Sequence, residues 1–63
     1  MYKNILEILE KAQSLGFRVS GIEINKSWSD GLIGELGSPM SEKISGKLTK
    51  LNTEFGEVKV SIK

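Results

Sequence analysis

Neither cysteine nor histidine occurs among the 63 residues of the chain, and that double absence constrains the fold more than any motif does. A domain of this size buries only about 60% of the surface its unfolded chain exposes, so small domains commonly lean on disulfides, a structural metal or a partner subunit. Disulfides are impossible here, and the two commonest ligands of structural zinc are missing. Close apolar packing or self-association remains. The length fits one domain spanning residues 1–63, with no room for a second core.

The first segment, YKNILEILEKAQSLG, sets Ile5, Leu6, Ile8, Leu9, Ala12 and Leu15 at spacings of three and four, the period of an α-helix. Gly16 is suited to close it, because a left-handed residue there carries no Cβ penalty. Glu7 and Lys11 stand four apart in the favourable orientation. The apolar arc covers roughly 180°, wider than the ~100° stripe of a helix buried on one side. The surplus needs a second element or a second chain.

FRVSGIEIN alternates like a strand but changes phase in the middle, with Phe17 and Val19 on one face and Ile22 and Ile24 on the other. A bulge at Gly21 would turn both pairs to one core. Ser29-Asp30-Gly31 then reads as a hairpin turn, returning through a short strand from Leu32 to Leu36. The alternative, a helix capped by Asp30, would carry Gly31 and Gly34 at about 1 kcal/mol each over few residues.

Ser38 as N-cap and Pro39 at the first helical position open a second helix. Its apolar stripe is Met40, Ile44, Leu48 and Leu51. The competing reading makes Lys47 to Thr53 a strand in a hairpin with the last segment. The three-residue step from Leu48 to Leu51 favours the helix. EVKVSIK closes with Val58, Val60 and Ile62 on one face and charged or polar residues on the other, a half-buried strand. The expected class is therefore α+β. The expected order is helix, strand, strand, helix, strand, with a three-stranded, mostly antiparallel sheet against two helices.

Chemistry finds little to work with. Without histidine or cysteine a nucleophile would have to be serine, and no serine lies in a G-x-S-x-G setting. Ser27, Ser29 and Asp30 are explained by turn chemistry, and Glu54 and Glu57 by solvated loop charge. The glycines from Gly31 to Gly37 lack the Gly-Lys-Ser/Thr of a phosphate loop and the helix-opening G-x-G-x-x-G of a dinucleotide site. Asn25, Ser27, Ser29 and Asp30 fall short of a calcium loop. No enzyme activity, cofactor or metal is expected.

The net charge is +1, far from that of a dedicated nucleic-acid binder. Eight of the nine cations are lysines, and Arg18 is the sole arginine, so guanidinium readout of bases has little to draw on. Lys43, Lys47 and Lys50 form a stripe on the expected second helix, about 90° from its apolar face. With Arg18 they make the alternative site, for phosphate contacts. The favoured site is Trp28 with Leu32, Ile33 and Leu36, an apolar cluster built on the residue type most enriched at interface hot spots.

The expectation is a small non-catalytic binding module, an inhibitor or adaptor acting on another protein or on a second copy of itself. Nucleic-acid binding is the alternative, and small-ligand capture at a homodimer seam the third reading. Lys3, Glu7, Glu10 and Lys11 interrupt the first apolar stretch, so nothing reaches the ~18 residues that span a bilayer. A soluble, cytoplasmic chain without a membrane partner is expected, and its lysine-rich composition suggests a phage or bacterial accessory protein.

Overall fold

A computed structural model describes residues 1–37 and 39–63. It is an α+β domain of two helices and a four-stranded mixed sheet: α1 (Tyr2–Ser14), β1 (Gly21–Ile24), α2 (Lys26–Glu35), β2 (Ser41–Ile44), β3 (Lys47–Thr53) and β4 (Gly56–Ile62). The strands lie in the order β1-β4-β3-β2. β4 runs parallel to β1 and antiparallel to β3, and β3 is antiparallel to β2. Ile5 and Leu9 of α1 and Leu32 of α2 meet Leu48, Leu51, Val58 and Val60 in one core. Glu57, Lys59 and Ser61 alternate with that row and are exposed on the other face of the sheet.

α1 follows its periodicity and ends as its glycine requires. Gly16 has φ +86°, the Gly16 amide donates to Gln13 O at 3.0 Å and the Phe17 amide to Ala12 O at 2.8 Å. These two bonds are the Schellman closure. Phe17 is therefore a helix-capping residue and not the start of a strand. β1 begins only at Gly21, without a bulge, and turns Ile22 and Ile24 toward the core.

The middle of the chain inverts the sequence expectation. The stretch read as a turn and return strand is α2, and the stretch read as a helix is the β2–β3 hairpin, with Lys47–Thr53 the strand of the competing reading and paired with β4, so the sheet has four strands in place of three. Asn25 caps α2, its Oδ1 accepting from the Trp28 amide at 2.8 Å and from Ser27 Oγ at 2.8 Å. Trp28, Leu32 and Leu36 then recur every four residues along one face, and Leu32 is fully buried. That burial offsets the two helical glycines. At the far end, the Tyr2 amide opening α1 donates to both carboxylate oxygens of Glu35 at 3.3 Å, an acidic partner at a helix N-terminus.

Ser45 and Gly46 have φ +54° and +75°, so the hairpin turns on two left-handed residues, the type that matches strand twist. The step from Leu48 to Leu51 reflects a β-bulge. Glu42 pairs with Lys50 but Lys43 with Leu48, leaving Thr49 as the extra residue. The bulge sends both leucines to the core, a pattern that imitates a helical period. The β3–β4 pairing stops at Lys50 and Lys59. The Leu48 amide beyond it donates to the buried Ser29 Oγ of α2 at 3.3 Å.

Ser38, read as an N-cap, lies outside the described residues, and Pro39 precedes β2 in a turn. Asn52 ties this connection to the sheet. Its amide donates to Met40 O at 2.8 Å and its Nδ2 to Pro39 O at 2.6 Å.

Candidate functional site

β1 is an edge strand, with no neighbouring strand on one side among the described residues. The Lys59 amide donates to Ser20 O at 3.0 Å and the Lys63 amide to Ile24 O at 2.9 Å. In a parallel ladder the backbone groups of alternate residues point the same way. Those of Ser20, Ile22 and Ile24 thus serve β4, while the N–H and C=O groups of Gly21 and Glu23 face outward. These four hydrogen-bonding groups have no partner among the described residues and suit another extended chain.

Beside this edge the layer between α1 and the sheet is open. A groove of about 380 Å³ runs there, walled by Ile5, Ile8 and Leu9 of α1, Ile22 and Ile24 of β1, and Trp28 of α2. Glu23, Asn25 and Lys63 form its polar lip. Trp28 is half-buried, and the bond from its amide to Asn25 sets it on the first turn of α2. A strand laid against β1 at about 4.8 Å would direct alternate side chains toward this groove.

The sequence-derived cluster is divided by the fold. Trp28 lines the groove, Ile33 and Leu36 are half-buried against the core, and Leu32 is 0% exposed. Leu32 is thereby corrected from a contact residue to a core residue, because α2 turns it straight onto the sheet. Ile5, Ile22 and Ile24 were missed as site residues. Their apolar character was visible in the sequence, but strand order decides which strand is an edge.

The lysine stripe does not survive the loss of its helix. Lys43 pairs across the hairpin with Leu48, and Lys47 with Ile44. Lys50 lies opposite Lys59, a like-charge pairing that disfavours the sheet by itself. Two carboxylates answer it: Lys50 Nζ is 3.0 Å from Glu42 Oε2 and 3.2 Å from Glu57 Oε1. Arg18 precedes β1, whereas Lys43 lies on β2 at the other edge, three strand spacings or about 14 Å away.

The same cluster sets a pH dependence. The hydrogen bond from Lys50, then that from Asn52, holds the Glu42 carboxyl below its ordinary pKa. Its hydrogen bonds to Glu42 and Glu57 raise Lys50 above its own. A lowered carboxyl contributes stability above its unfolded pKa and loses it as pH falls through the folded one; a raised lysine loses its contribution as pH rises through its folded value. The urea midpoint is expected to decline below about pH 4, and Glu42→Gln to make that decline shallower.

The remaining polar residues have structural duties. Ser27 belongs to the α2 cap, Ser29 is buried against β3, and Asp30 pairs with Lys26 at 3.3 Å. Glu57 is bound to Lys50. Among the described residues no group of three or more acidic side chains gathers as a metal-ligand set. Nor is any helix among them long and apolar enough to cross a membrane. Comparison with protein-family models, curated proteins and solved structures finds no match. The functional reading rests on this chain's own chemistry.

Proposed function

We propose that the chain is a small non-catalytic binding module that takes an extended segment of another protein along the free edge of β1, as an inhibitor or adaptor does. The carrying observation is the pairing of an unoccupied strand edge with an apolar groove directly beside it. Backbone hydrogen bonds supply affinity in strand addition, and a pocket for alternate side chains supplies selectivity. Trp28 is the anchor on this reading, since an aromatic side chain with only two torsions offers large contact area at little entropic cost. A cytoplasmic setting and an accessory role in a bacterium or phage belong to the same proposal. The cations lend less support to a nucleic-acid partner, because Lys50 is engaged by two carboxylates and Arg18 lies across the sheet from Lys43.

The test is selection of tryptophan-free peptides from a displayed random library, followed by titration against the emission of Trp28, the chain's sole tryptophan. Selected peptides are expected to shift that emission. Proline at position 23 removes an outward N–H without breaking the β1–β4 ladder. Glu23→Pro is expected to weaken binding on the order of tenfold or more while circular dichroism stays unchanged. Failure to select any peptide, or selected peptides indifferent to Glu23→Pro, would overturn the proposal.

A further inference from the structure

We infer that the outward face of α1 is a self-association surface, pairing two copies of the chain antiparallel about a two-fold axis level with Leu9. At about 100° per residue Asn4, Ile8, Lys11 and Leu15 share one strip of the helix, turned away from the core residues Ile5 and Leu9. Ile8 is 62% exposed, Leu15 61% and Phe17 69%. Together with Ala12 they line a shallow hollow of about 560 Å³. The Schellman closure fixes the Phe17 backbone to Ala12, so the patch is ordered in advance of any partner. Apolar patches of a few hundred Å² on small soluble domains commonly mark contact sites.

Charge selects the occupant. Glu7 and Lys11 lie on the same flank of the strip, and neither forms an ion pair among the described residues. An antiparallel two-fold midway between them sets Glu7 against the partner's Lys11, and the symmetry repeats the pair. It also brings the two Ile8 side chains to within about 3 Å in height along the helix axes. A parallel two-fold would carry the charged flanks to opposite sides, leaving both charges without a counterpart. The surface is at the small end of specific interfaces, so the association is weak and concentration-dependent.

The proposal uses neither Trp28 nor the edge of β1. Ile8 borders both surfaces and is therefore left out of the test. Leu9 is 4% exposed, so charging it would report on folding. Sedimentation velocity from micromolar to millimolar protein is expected to show the mass rising from one chain toward two. Leu15→Glu, at an exposed position, is expected to hold the mass at one chain with circular dichroism unchanged. Glu7→Lys and Lys11→Glu are each expected to weaken association about tenfold, and the double reversal to recover most of that loss. Glu23→Pro is expected to leave association intact. A single-chain mass at every concentration, a double reversal as weak as either single one, or dissociation by Glu23→Pro would overturn the inference.

Discussion

Leu32→Ala is expected to lose about 2–5 kcal/mol of stability, the range for truncating a fully buried leucine. A domain of 63 residues has roughly 3–9 kcal/mol in total, at about 0.05–0.15 kcal/mol per residue. A large share therefore disappears with three carbon atoms. The reason is position. Leu32 is the buried apolar residue of α2 and meets core residues of α1, β3 and β4, so its cavity opens where both layers join. Ile33→Ala and Leu36→Ala remove half-buried groups and are expected to cost about 1 kcal/mol each. Urea titration of the three variants separates the cases, and equal midpoints would show that the core is not centred on Leu32.

Ser29→Ala is the second large effect, expected at about 1–3 kcal/mol although only one oxygen is removed. Ser29 is 2% exposed, and its Oγ accepts from the Leu48 amide where the β3–β4 ladder has ended. Alanine leaves that N–H buried with no acceptor, and water has no access to replace it. The neighbouring Ser27→Ala alters an exposed cap and is expected to stay within about 0.5 kcal/mol. Hydrogen exchange gives an independent readout: the Leu48 amide should exchange faster in Ser29→Ala. An unchanged urea midpoint together with slow exchange at Leu48 would contradict this account.

The two ends of the chain were legible because their patterns admit one solution. Six apolar residues at helical spacing with Gly16 behind them specify α1, and Val58, Val60 and Ile62 alternate cleanly as β4. The middle was misread where two local patterns coincide. Leu48 and Leu51 are three apart in a helix or across a bulge, and which applies depends on β2 lying alongside. Ser45-Gly46 carried the missing signal, since a glycine that weakens a helix is what a two-residue hairpin requires. Likewise Asn25, five residues before Asp30, was the available cap for α2. Of the candidate site, Trp28 was visible by residue type. The groove around it was not, because it arises from β1 ending at the sheet margin beside α1, a tertiary fact with no local pattern.

The position of β4 affects how the protein is made. It is the last strand in chain order, yet it sits inside the sheet between β1 and β3. During synthesis β1 and α2 leave the ribosome well before the strand that joins β1 to the rest, and the β2–β3 hairpin can form ahead of it only as a marginal ribbon. The Ser20 carbonyl must wait for the Lys59 amide that donates to it. Until then the nascent chain has two unsatisfied strand margins, those of β1 and β3, that the finished molecule closes with one segment. A protease that cut between β3 and β4 would split the sheet down its middle, so the whole fold depends on a strand translated after the two that it joins.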